Sequence, residues 1–84
     1  MLNNMDDEQK ALAKRLGAEF QRLRRTTGKT QEDVALETEI TTTYISLVER
    51  GGTNITIPKG VKIARAIGVS LANVLTEVEN EEVR

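Results

Sequence analysis

The sequence predicts an all-α fold, a compact five-helix bundle in one small domain. Three observations carry that expectation. Leu12, Leu16, Phe20 and Leu23, continued by Thr27, step by four, four, three and four, the period of one helical face. Two short helical patterns, 30–38 and 41–50, then follow with one polar turn between them. No stretch shows the alternation of a strand, and there is no internal repeat or low-complexity segment. At 84 residues the core is small, so local helical contacts or dimerisation must help stabilise it. Phe20 and Tyr44 are the aromatics, so aliphatic side chains build that core.

The first helix is expected from Asp6 to Thr27. Asp6, Asp7 and Glu8 suit the positive end of its dipole, and Gly28 stops it. Gly17 inside it costs roughly 1 kcal/mol relative to Ala unless another helix packs closely there. Thr30 caps the second helix, because its hydroxyl can accept from a free amide of the next turn. Asp33, three residues on, makes a weak capping box. Val34 and Ala35 are the apolar side of this helix. Thr41 caps the third, where Ile45 and Val48 share one face and Gly51 is the stop. Ala35 is small where these two helices cross, and Ile40 fills the corner. Thr56 caps the fourth helix, with Pro58 in its first turn, where a missing amide is harmless. Its buried stripe reads Ile57, Val61, Ala64 and Ile67, with Ile63 beside it. Gly60 either leaves room for a partner or weakens the helix. Gly68 closes it, and Ser70 caps a six-residue fifth helix with Leu71, Val74 and Leu75 on one side. The chain divides into an N-terminal helical extension (1–15), a domain (16–76) and an acidic flexible tail (77–84).

Two short helices joined by a tight turn make a helix-turn-helix, whose second helix enters the major groove. Thr30-Gln31-Glu32-Asp33-Val34-Ala35 and Tyr44-Ile45-Ser46-Leu47-Val48-Glu49-Arg50-Gly51 resemble the phage repressor and Cro-type helix-turn-helix family. The resemblance runs from Leu16 through Leu75. Within the family, Thr43-Tyr44-Ile45-Ser46, Glu49-Arg50-Gly51 and Asn54-Ile55-Thr56 are most similar to the controller proteins of restriction–modification systems. The resemblance implies a lambda-repressor-like domain and a sequence-specific transcription regulator. It implies a homodimer on a palindromic operator of double-stranded DNA, with no cofactor and no small-molecule ligand. A controller protein would regulate its own promoter and that of a neighbouring endonuclease gene. A small phage-type repressor, an antitoxin, or a helix-turn-helix fold used as a protein-interaction module are the alternatives. Glu39 stands where the family commonly has Gly in the turn. A side chain in the left-handed region costs on the order of 1–2 kcal/mol.

Composition narrows the function. There is no Cys and no His, which removes disulfides, the usual zinc ligands, thiol nucleophiles and a histidine base. The carboxylates Glu32, Asp33, Glu37 and Glu39 fall on a solvated helix and turn, so neither an enzyme nor a metal site is expected. No apolar run approaches the roughly 18 residues of a membrane span. Residues 1–7 do not read as a signal peptide, so a soluble cytoplasmic protein is expected. The net charge of −1 argues against a generic nucleic-acid binder, for which a basic domain is expected. The distribution softens this. Residues 10–29 carry a net +6 (Lys10, Lys14, Arg15, Arg22, Arg24, Arg25 and Lys29 against Glu19), whereas residues 71–84 carry −3.

Thr42, Thr43, Ser46 and Leu47 point away from Ile45 and Val48 and are the expected base-contacting set. A Thr hydroxyl can bond base edges, and its methyl or Leu47 can touch thymine methyls. None of the four is Arg, Gln or Asn, so bidentate readout of G or A from this helix is expected to be absent and DNA shape to matter more. Thr30 and Gln31, at the start of the second helix, are placed to meet a phosphate. Tyr44, Arg50, Thr53 and Asn54 would reach the backbone on the other side, although Tyr44 reads equally well as a packed side chain. The resemblance implies an internal ion pair between Arg24 and Glu49. The fifth helix is the expected dimer interface: Leu71, Val74, Leu75 and Val78, joined by Ile57 and Val61. Of these, Leu71 and Leu75 should cap the monomer's own core, and Val74 and Val78 should be the more exposed pair.

Overall fold

The computed structural model describes residues 5–82, with no strand among them. Five helices appear in the expected order: α1 Asp7–Thr26, α2 Gln31–Thr38, α3 Thr42–Glu49, α4 Ile57–Ile67 and α5 Leu71–Glu82. Local chemistry sets the starts. Asp6 and Gln9 form a reciprocal capping box, with bonds of 2.8 and 2.9 Å. Thr30 and Asp33 do the same ahead of α2, at 3.0 and 2.9 Å. Thr41, Thr56 and Ser70 each accept one amide from the first turn of α3, α4 and α5. Each such cap is worth about 1 kcal/mol.

The turn between α2 and α3 is left-handed at Glu39, with φ 61° and ψ 23°. This side chain carries the strain that glycine would avoid, on the order of 1–2 kcal/mol. Thr38 holds the turn in place. Its buried hydroxyl donates to the Val34 carbonyl at 2.7 Å and accepts from the Ile40 amide at 3.2 Å.

Phe20, Val34, Ile45, Val48, Ile63, Ala64, Ile67 and Val74 form the core. Several details differ from the sequence reading. On α4 the buried stripe is Gly60, Ile63, Ala64 and Ile67, while Val61 is half-buried and Ile57, at the overhanging first turn, is 66% exposed. The space beside Gly60 is filled by Leu71. On α1 the stripe ends at Leu23, and Thr27 is an exposed cap.

α5 is twice the expected length, and that reverses its faces. Val74 and Val78, four apart, form its inward stripe and are 1% and 4% exposed. Leu75 is exposed and Leu71 half-buried. The expected exposure of Val74 and Val78 is therefore overturned. A six-residue helix would end before Val78, but the longer one carries both valines over α1. Residues 77–82, expected as a flexible tail, are helical; 83 and 84 lie outside the described residues.

Candidate nucleic-acid interface

At eight residues α3 is far shorter than the roughly 12–15 needed for an isolated helix to hold its shape. Its neighbours must hold it. Ile45 and Val48 are buried, and burying each such side chain is worth about 1.5–3 kcal/mol. α1 crosses its C-terminal end at Gly17. A β-carbon there would lie 2.8 Å from the Glu49 carbonyl oxygen and nearer still to that of Val48. One turn earlier the Lys14 backbone rests on Gly51, whose φ of +75° closes α3.

The third restraint is ionic. Glu49 is buried and accepts from Arg24 Nε at 2.7 Å and Nη2 at 3.0 Å, a bidentate pair. Gln31 Nε2 donates to the same carboxylate at 2.9 Å and Gln21 Nε2 at 3.3 Å. Burial alone would raise the Glu49 pKa. The bonds from Arg24 and Gln31, the charge of Arg24 and the Gln21 bond outweigh it and hold the carboxyl below its ordinary range. One buried carboxylate thus ties α1, the first turn of α2 and the end of α3 together.

With that inner face anchored, the opposite face of α3 is presented outward. Thr43 is exposed; Thr42 and Ser46 are half-buried at its margins. Leu47 is half-buried rather than exposed, because its side chain leans over Gly52 in the following loop. Arg50 is exposed and turns back to Ser46, with Nη1 donating to Oγ at 3.1 Å. Thr30 caps α2 through its oxygen, which leaves its hydroxyl proton for an outside acceptor. Gln31 uses one amide proton on Glu49 and keeps the second. Tyr44 packs against the core, and Lys59 Nζ stands 4.3 Å from its ring centroid. Thr53 and Asn54, in the loop after α3, also line an apolar groove.

Three cations of the basic stretch 10–29 are paired, while Lys10, Lys14 and Arg25 stay exposed. Arg22 pairs with Glu19 at 2.6 Å, Arg24 with Glu49, and Lys29 with Glu37 at 3.0 Å. The cations standing at the α3 surface include Arg50 and Lys59. The second was not singled out by the sequence. Its signal was its place in the first turn of α4, brought over Tyr44 by the fold.

A short helix held by a buried ion pair, polar outward face up, with a second helix aimed at it across a tight turn, is a helix-turn-helix. The helix-turn-helix family model matches residues 20–74, and the chain belongs to that family. It is 37% identical over 68 residues to the uncharacterized HTH-type transcriptional regulator y4dJ of Sinorhizobium fredii, covering 81% of this chain and 88% of that one. Control protein C.MunI of a Mycoplasma species is 29% identical over 68 residues (80% and 92%). Among solved structures, the clp gene regulator ClgR from C. glutamicum superposes with TM-score 0.78 at 28% identity (83% and 91%). The tetramer of the restriction–modification controller protein C.Esp1396I in complex with its natural 35 base-pair operator superposes with TM-score 0.76 at 29% identity (87% and 96%). No helix among the described residues is long and apolar enough to cross a membrane.

Proposed function

We propose that this chain is a homodimeric, sequence-specific DNA-binding transcription regulator, and that it serves as the controller protein of a restriction–modification system acting on its own promoter. The observation that carries the reading is α3 itself. Its inner face is fixed by Ile45, Val48 and Glu49, so Thr42, Thr43, Ser46 and Leu47 are offered to a groove. Thr30, Gln31, Thr53 and Asn54, with Lys59 added and Tyr44 beneath it, would meet the flanking backbone. Controller proteins of this fold, one solved on its operator, support the narrower assignment.

The dimer surface moves with the burial. Val74 and Val78 are taken up by the monomer's own core. Ile57, Leu71 and Leu75 instead rim a groove of about 170 Å³, floored by Leu12, Leu16 and Ile55. A second copy covering it by two-fold symmetry would pair the chains, and a palindromic operator would require their two α3 helices about 34 Å apart, one turn of DNA.

One observation favours a second reading, a protein-interaction module. Leu36 on α2 is 82% exposed among the exposed carboxylates Glu32, Asp33 and Glu37, and the DNA reading makes no use of it. A gel shift with the DNA upstream of this chain's own gene separates the two. The DNA reading expects binding that weakens by about 10³–10⁵ between 50 and 200 mM salt, from about 6–10 phosphate contacts per dimer. No shift, or a flat salt response, supports the module.

A further inference from the structure

The outward stripe of α3 has a member that residue types alone did not bring into the reading set. Thr43, Ser46, Leu47 and Arg50 stand three, four and seven residues apart, the spacing of one helical face. Arg50 is the C-cap and keeps right-handed helical angles, φ −85° and ψ −4°, so it continues that face. The opposite stripe, Ile45, Val48 and Glu49, is buried. The guanidinium does not extend off the helix end toward a phosphate. It folds back, and Nη1 donates to Ser46 Oγ at 3.1 Å. That places its planar group level with Ser46, about 4.5 Å along the helix axis from Thr43.

A guanidinium has five N–H donors in a rigid fork. Ser46 occupies one and restricts the side chain, leaving the Nε and Nη2 side of the fork for a ligand with two adjacent acceptors. In the major groove, guanine presents such a pair, O6 and N7. We propose that Arg50 reads a guanine in each half-site, with Ser46 as its positioning residue. The proposal rests on the DNA-binding reading and deepens it. The bidentate reader that the residue types of the first two turns did not supply comes from the end of the helix.

The test uses the full chain and a duplex it selects from a randomised library. Affinities are measured on that duplex, on random duplex, and on the selected duplex with the guanine replaced by 7-deazaguanine, which lacks the N7 acceptor. We expect one guanine per half-site, adjacent to the base pair that Thr43 touches. Arg50→Lys keeps the charge but not the fork. It should lose about 5- to 150-fold per half-site on the selected duplex and change little on random duplex. The 7-deazaguanine duplex should weaken the wild type and not Arg50→Lys. Ser46→Ala should relax choice at that same base pair and nowhere else. If Arg50→Lys binds both duplexes as the wild type does, or loses equally on both, Arg50 is a phosphate contact and the proposal is overturned. The 7-deazaguanine comparison on the wild type keeps the test decisive should a variant fold poorly. A wild type that enriches no sequence at all would instead overturn the DNA reading, and this proposal with it.

Discussion

Replacing Glu49 by Met should be among the most damaging single changes in the chain. The Arg24 and Glu49 side chains are 10% and 3% exposed. Removing the carboxylate leaves the guanidinium with the Lys29 carbonyl, which it meets through Nη1 at 2.9 Å, and the weaker, more distant charge of exposed Glu32. Stranding one partner of such a pair costs about 3–5 kcal/mol. A domain this small sits toward the low end of the usual stability of about 5–15 kcal/mol. At about 4–8 °C per kcal/mol, the midpoint should fall by at least about 12 °C. Arg24→Met combined with Glu49→Met should recover most of that, because no charge is left buried and the half-exposed Gln21 and Gln31 can turn to water. Thermal melts followed by circular dichroism at neutral pH decide it. A loss under about 4 °C for Glu49→Met, or a double variant as weak as the single, would refute the reasoning. The same group sets a pH dependence. Its folded-state pKa is lowered, so its stabilisation is complete above the ordinary value of 4.5 and is lost as pH falls through the lower folded value. The wild-type midpoint should therefore drop in acid more steeply than that of Glu49→Gln.

Three further outcomes follow from the same geometry. Gly17→Ala, which helix propensity alone would favour by about 1 kcal/mol, should instead destabilise by about 1–3 kcal/mol or more, because the methyl meets the α3 backbone carbonyls; a denaturant titration that shows a gain would refute the contact. Glu39→Gly should stabilise by up to about 1–2 kcal/mol by relieving the left-handed turn, less the entropy glycine adds to the unfolded chain, as read by the same titration. Ile57→Asp with Leu75→Asp should leave a folded monomer in sedimentation that no longer binds a palindromic duplex tightly, whereas an unchanged sedimentation coefficient would move the interface elsewhere.

Helix number, order and starts were legible in the sequence because caps are local: Thr30, Thr41, Thr56 and Ser70 act on amides three residues away. The outward face of α3 was legible for a similar reason, since Ile45 and Val48 fix the phase of a short helix. What the sequence hid was set at a distance. Val78 looked like part of a tail because acidic residues surround it, and only the α1 surface beneath it turns α5 into a longer helix. Ile57 matched a period that its helix had not yet begun to bury. The cations of 10–29 summed to one basic face on paper, but Glu19, Glu49 and Glu37 reach Arg22, Arg24 and Lys29 from within and across helices. The backward course of the Arg50 side chain to Ser46 was not legible either, since it depends on a side-chain bond at the helix end.

The placing of α1 joins these observations. One of its faces backs α3 through Lys14, Gly17 and Arg24. Another, through Leu12 and Leu16, floors the groove rimmed by Ile57 and Leu75. These positions interleave along a single unbroken helix that begins at Asp7. Residues 7–15 are therefore part of the structural frame, although the family match begins only at residue 20. A helix is stiff over such a length, so a second copy seated in the groove would be held at a fixed distance and angle from α3. Half-site spacing would then be set by α1 more than by any flexible joint. α3 can be as short as eight residues because its position is borrowed from the twenty-residue helix behind it.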